Sequence, residues 1–135
     1  MLHDVGKTKV DPEILTAPRK LTREEFEQMQ SHSLIGYNIL KACNFMFKEI
    51  RISALEHHEK LDRSGYPNGK GNLSDISQII GIIDCYEALT NDDRPYRSAM
   101  APYYALNIIK KDVVEGKFRK EVFEKFTYSL ANLKS

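Results

Sequence analysis

Ser77-Gln78-Ile79-Ile80-Gly81-Ile82-Ile83-Asp84-Cys85-Tyr86-Glu87-Ala88-Leu89-Thr90 decides the fold, because its β-branched first half reads as a buried strand or as a buried helix. Its length and the Tyr86-Glu87-Ala88-Leu89 that follows favour helix. Asp84 stands out in this background. A carboxylate after five such residues costs free energy to bury unless a metal or another cation compensates it, the alternative being an arginine partner or a capped backbone amide.

With that segment helical, the rest of the chain follows the same period. Thr22 and Glu25 have the spacing of a capping box, and Phe26, Met29, Ile35, Ile39 and Leu40 recur behind them as one long helix, or two in close succession around residues 31–33. A further helix is expected from about Phe45 to Glu59, with Phe47, Ile50, Ala54 and Leu55 as its apolar stripe, before a Gly/Pro/Asn-rich loop at 62–72. Pro102 and Gly116 bracket another segment carrying Tyr104, Leu106, Ile108, Ile109 and Val113, and a last helix from about Lys120 carries Val122, Phe123, Phe126 and Leu130. No repeat or linker interrupts the pattern, so one all-α domain over 1–135 is expected.

Composition narrows the function classes. The 135 residues are 41% hydrophobic and 29% charged, enough for a core without disulfides, and the net charge of +1 gives no field that would favour a nucleic acid polymer or an anionic membrane. No run approaches the roughly 18 to 20 apolar residues of a membrane span, and no signal peptide is visible, which points to a cytoplasmic protein. Cys43 and Cys85 lack a CxxC pairing and are expected to be reduced, buried thiols.

Two of the chain's four histidines are adjacent, in His57-His58-Glu59-Lys60-Leu61-Asp62-Arg63-Ser64-Gly65-Tyr66-Pro67. Neutral imidazole is the commonest metal ligand near pH 7, and neighbours about 100° apart at a helix end can both reach one ion cluster; a solvated polar loop is the alternative. His3-Asp4, His32 and Asp84 add further ligand types, and a carboxylate can bridge two cations where a single imidazole cannot.

His3-Asp4-Val5-Gly6-Lys7, His32, the 57–67 run and the segment from Asp84 to Thr90 with Arg94-Pro95-Tyr96-Arg97 beyond it together resemble the HD-GYP domain, a branch of the HD phosphohydrolase superfamily. The resemblance covers nearly the whole chain. It implies an all-helical HD-type domain of about five to seven helices, holding two or three divalent ions, iron or manganese with zinc as a further choice. It also implies hydrolysis of the bacterial second messenger cyclic di-GMP to linear pGpG, GMP or both. Metal ligation is then expected of His3, Asp4, His32, His57, His58 and Asp84, with Asp4 bridging. Lys7 is expected at the scissile phosphate, and Tyr66, Arg94 and Arg97 at substrate, although Lys7 and the arginines also read as ordinary surface charges.

The alternative function is a non-catalytic or truncated module that binds a cyclic dinucleotide or docks to a diguanylate cyclase (GGDEF) domain. The family pattern places helices and a further histidine ahead of the His-Asp pair. Here His3 follows Met1 by two residues, so the expectation is an N-terminally truncated, partial domain with an incomplete metal shell, only the last turn of the helix bearing His3-Asp4, and exposed apolar surface that favours a homodimer. Where the family usually has Asp-Gly, this chain has Asp62-Arg63, at a point where glycine's backbone freedom is favoured, so an altered loop conformation is expected.

Overall fold

The stretch at 77–90 is helical throughout. In the computed structural model, which describes residues 2–44, 47–91 and 98–133, a 3-10 segment η1 (Leu2–Lys9) precedes α1 (Pro12–Leu15), α2 (Arg23–Gln30), α3 (His32–Ala42), α4 (Lys48–Glu56), α5 (Asp75–Thr90), α6 (Pro102–Val114) and α7 (Lys120–Leu133). Among the described residues there is no strand. None of the helices is long and apolar enough to cross a membrane.

Two packed regions share α5. Its Ile82 and Ile109 of α6 are fully buried, in one cluster with Phe118 just ahead of α7 and with Val122, Phe123 and Phe126 of α7. Each such side chain contributes about 1.5–3 kcal/mol by leaving water. On another face, Gly81 brings α5 against the end of α4, where a Cβ would stand only 2.8 Å from the His57 carbonyl oxygen. Asp84 lies three residues on, hence on that same face. The helix that builds the core therefore also delivers a carboxylate to the histidine pair.

The second close crossing is between η1 and α3. A Cβ on Gly6 would lie 1.9 Å from the His32 carbonyl oxygen and 2.6 Å from the Gly36 nitrogen, so only glycine allows the two backbones to meet. This contact sets His3 and Asp4 beside His32.

Thr22 caps α2 with the reciprocal Glu25 bonds that its spacing implies, and Ser31 divides the 23–42 pattern into two helices. Pro102 does start α6, and Gly116, at φ +85°, follows its end. Several expectations need correction. Residues 2–9 coil as a full 3-10 segment, and Asp11 caps a short α1 that begins at Pro12, the Asp-Pro pair being a local start signal. Cys43 is exposed and Cys85 only partly buried, because Cys43 ends α3 just before the chain turns away through Asn44 at φ +52°. Tyr104 and Ile108 remain 62% and 42% exposed, since α6 turns Ala105 and Ile109 inward instead. Phe45, at the expected start of α4, lies outside the described residues.

Candidate metal centre and its cleft

All four histidines of the chain converge at one place. His3 comes from η1, His32 from the first turn of α3, and His57 and His58 from the end of α4, with Asp4 and Asp84 between them. Asp4 Oδ1 lies 3.5 Å from Nε2 of both His32 and His57, while its Oδ2 lies 3.3 Å from His3 Nε2 and 3.4 Å from Lys7 Nζ. Asp84 straddles the opposite side, with Oδ1 3.5 Å from His3 Nε2 and Oδ2 3.7 Å from His58 Nε2. Imidazoles thus alternate with carboxylates around a small volume. Within it, His32, His57 and His58 form one group able to hold an ion, and His3, Asp4 and His57 form a second.

Hydrogen bonding fixes the tautomers of two rings. His32 Nδ1–H donates to the Met29 carbonyl at 2.6 Å, and His57 Nδ1–H donates to that of Ala54 at 2.9 Å. Neutral rings so oriented carry lone pairs on both Nε2 atoms, and these atoms face each other at 3.1 Å. The contact is repulsive unless a proton or a cation intervenes. Burial pushes the His32 pKa down, which disfavours the proton. Asp4 Oδ1 and both His3 nitrogens are likewise buried without a hydrogen-bond partner. Such a donor set fits divalent cations, and carbonyl-anchored imidazoles are a usual outer support of metal ligands.

The charges point the same way. Burial opposes ionisation of Asp4, yet His3, His57 and Lys7 outweigh it and hold the carboxyl far below its ordinary range. Asp84 is lowered as well, burial again being overcome by His3 and His58. Burial would lower His3, but the two carboxylates lift it to about 9. Burial, then the neighbouring His57, pushes His58 down, so its ring is a neutral donor. The centre therefore offers two ionised carboxylates and, in His32 and His58, neutral imidazole donors, while His3 holds a proton between the carboxylates that a bound cation would displace.

The loop after α4 is pinned by two buried acids. Glu59 accepts the backbone N–H groups of Asn68 and Lys70 at 2.7 and 2.8 Å, and Glu56 accepts from Lys70 Nζ at 2.7 Å and from Ser77 Oγ at 3.0 Å. Tyr66 N–H donates to the His58 carbonyl at 3.2 Å, and the Tyr66 ring stacks on His58 with centroids 4.7 Å apart. Burial raises the Tyr66 pKa, with Asp84 adding to it, so the phenol keeps its proton. Arg63 keeps a left-handed φ of +67° without glycine, so the expected alteration at this position does not displace the backbone from that region. Sequence reasoning left Glu56 and Glu59 unassigned. The sign available was two acids beside the histidine pair, ahead of a turn rich in unpaired N–H groups.

A cleft of about 610 Å³ opens onto the centre, lined by Lys7, His32, His58, Tyr66 and Asp84 and, farther out, by Lys20, Leu21, Phe26, Met29 and Ala88. Lys7 and Tyr66 thus line the cleft beside the histidines and Asp84. Lys20 and Phe26 were not foreseen there, Phe26 having read as part of an apolar helix stripe. Arg94 and Arg97 lie outside the described residues.

A helical domain whose clustered histidines and aspartates suit metal-dependent phosphohydrolysis is the class these features define. Residues 1–122 match the HD domain family, and the chain belongs to it. It is 38% identical over 126 residues to 3'3'-cGAMP-specific phosphodiesterase 1 of Vibrio cholerae, a match spanning 92% of this chain and 29% of that protein. It is 36% identical over 129 residues to a cyclic di-GMP phosphodiesterase of Thermotoga maritima, spanning 93% and 34%. The response regulator RpfG of Xanthomonas campestris, a cyclic di-GMP phosphodiesterase, is 38% identical over 101 residues, spanning 73% and 26%. The chain therefore spans about a quarter to a third of the length of these relatives.

Proposed function

We propose that this chain is an HD-GYP domain, and that it hydrolyses a cyclic dinucleotide, cyclic di-GMP in the first instance, to linear pGpG and then GMP. The observation that carries the reading is the convergence of four imidazoles and two carboxylates, in which the inward Nε2 atoms of His32 and His57 face each other at 3.1 Å and Asp4 Oδ1 is buried without a hydrogen-bond partner. His3, Asp4, His32, His57, His58 and Asp84 would hold two or three divalent ions, for which iron, manganese and zinc all suit the imidazole and carboxylate donors. Bound there, the ions would supply an acidified water and neutralise phosphoryl charge. The chain's own groups do the rest. Asp4 and Asp84 stay ionised, and Met29 and Ala54 hold His32 and His57 with Nε2 directed inward. Lys7 is close enough to the centre to bind a non-bridging phosphate oxygen, and the protonated Tyr66 phenol can donate to substrate. Arg94 and Arg97 are assigned to the same substrate by the motif alone.

The test is turnover of cyclic di-GMP by the manganese- or iron-loaded protein, with products separated by chromatography and metal content measured in parallel. His57→Ala and Asp84→Asn should each abolish product formation, because a domain this small has no spare ligand. Wild-type turnover by either variant would overturn the assignment. Tight binding of cyclic di-GMP without any hydrolysis by the wild-type protein would instead favour the non-catalytic module.

A further inference from the structure

The outer half of the cleft is built from a helix with no core of its own. α2 buries none of its residues, and Phe26, 48% exposed, spends its ring on the cleft rather than on packing. Met29 lies one turn further on the same face, and Leu21 precedes the cap. The Phe26 ring meets Tyr66 edge to face at 6.3 Å, and Tyr66 stacks on His58, so an aromatic series runs from the rim to the centre. A half-exposed phenylalanine contributes little to folding, whereas an aromatic surface in a cleft suits a flat heterocycle.

Lys20 supplies the complementary charge. Its neighbour Arg19 is fully engaged, with Nη1 and Nη2 each 2.7 Å from a Glu25 oxygen and Nη1 also donating to the Lys20 carbonyl at 3.1 Å. This fork holds the Lys20 backbone in place at the entry to α2. Among the described residues no carboxylate pairs with the Lys20 ammonium, while Lys7 is 3.4 Å from Asp4. The cleft thus has one lysine at the centre and a second, uncommitted one at its outer end. A ligand with two phosphates and stacked bases matches this layout, one phosphate lying at the centre and the other within reach of Lys20.

The geometry points to Phe26 and Lys20 as the substrate-selecting rim of the cleft, Phe26 stacking a nucleobase and Lys20 binding the phosphate remote from the reacting one. The assignment rests on the phosphodiesterase reading for its substrate class, and the experiment separates the two. Binding of cyclic di-GMP is measured by calorimetry in manganese for the wild-type protein and for Phe26→Ala, Phe26→Tyr, Lys20→Ala and Lys20→Arg. Hydrolysis of cyclic di-GMP is then compared with that of bis(p-nitrophenyl) phosphate, a phosphodiester with one phosphate and no base.

Loss of one stacking contact should weaken cyclic di-GMP binding at least fivefold in Phe26→Ala. Phe26→Tyr, which keeps the aromatic face, should restore it. Lys20→Ala should weaken binding at least fivefold, more steeply at low salt, with recovery in Lys20→Arg. In both alanine variants the kcat/KM ratio of cyclic di-GMP to the simple diester should fall at least fivefold, the loss residing in KM. An unchanged ratio, cyclic di-GMP binding within twofold of wild type, or absence of wild-type binding would overturn the rim assignment. Wild-type binding that depends on Phe26 and Lys20, with neither diester hydrolysed, would sustain the rim and defeat the catalytic reading.

Discussion

Arg63 occupies a backbone region that an L-residue enters at a cost of roughly 1–2 kcal/mol, and it does so at φ +67° in the loop that carries Tyr66. The side chain is exposed and takes part in no ion pair among the described residues, so little is recovered there. Arg63→Gly removes the strain but adds about 0.5–1 kcal/mol of unfolded-state entropy. The net expectation is a stabilisation of up to about 1 kcal/mol, seen as a midpoint a few degrees higher in thermal unfolding. A lower midpoint would mean that the arginine contributes through its side chain. Residue chemistry was the most legible level in the sequence. Four histidines in 135 residues, two adjacent and one beside an aspartate, left few arrangements, and all four do converge. Glu56 and Glu59 were hidden because their partners, Ser77 and the N–H groups of the following loop, are identified only once that loop has folded back.

Helices were legible where they carry local chemistry. The Thr22 and Glu25 box, Pro102 and Gly116 mark ends through bonds to neighbours in sequence, and the structure keeps all three. The 3-10 segment was not legible, because it depends on a tertiary contact: Gly6 against the His32 carbonyl and the Gly36 nitrogen. Gly6→Ala puts a methyl 1.9 Å from that carbonyl oxygen, too close for either backbone to absorb without moving. Overpacking of this kind costs about 1–3 kcal/mol, and here the relief is to lift η1 from α3, taking His3 and Asp4 with it. The expected result is a destabilised protein whose folded fraction, isolated at low temperature, binds less metal than wild type in elemental analysis. Full metal content in that fraction would show that η1 can shift without disturbing the centre.

At the scale of the molecule, the candidate centre lies on a seam. His3, Asp4, His32, His57 and His58 belong to the region from η1 to α4, whereas Asp84 belongs to α5, whose buried side packs on α6 and α7. Without ions, the η1 to α4 side of the seam keeps buried atoms that lack hydrogen bonds and two Nε2 lone pairs facing at 3.1 Å, so the assembled ligand set is destabilised until a cation binds. An ion that binds only this assembled set stabilises folding by RT ln(1 + [L]/Kd), about 2.7 kcal/mol at a hundredfold excess over Kd. For a chain of this length that corresponds to a rise of about 10 °C in unfolding midpoint with manganese, reversed by a chelator. Since Asp84 is the ligand from across the seam, Asp84→Asn should lose much of the rise, and hydrogen exchange in α5 should then quicken towards the chelated wild type. His57→Ala should lose nearly all of it, because His57 is common to both groups able to hold an ion. A midpoint unmoved by manganese, or a rise that persists in His57→Ala, would place the ions somewhere other than the seam.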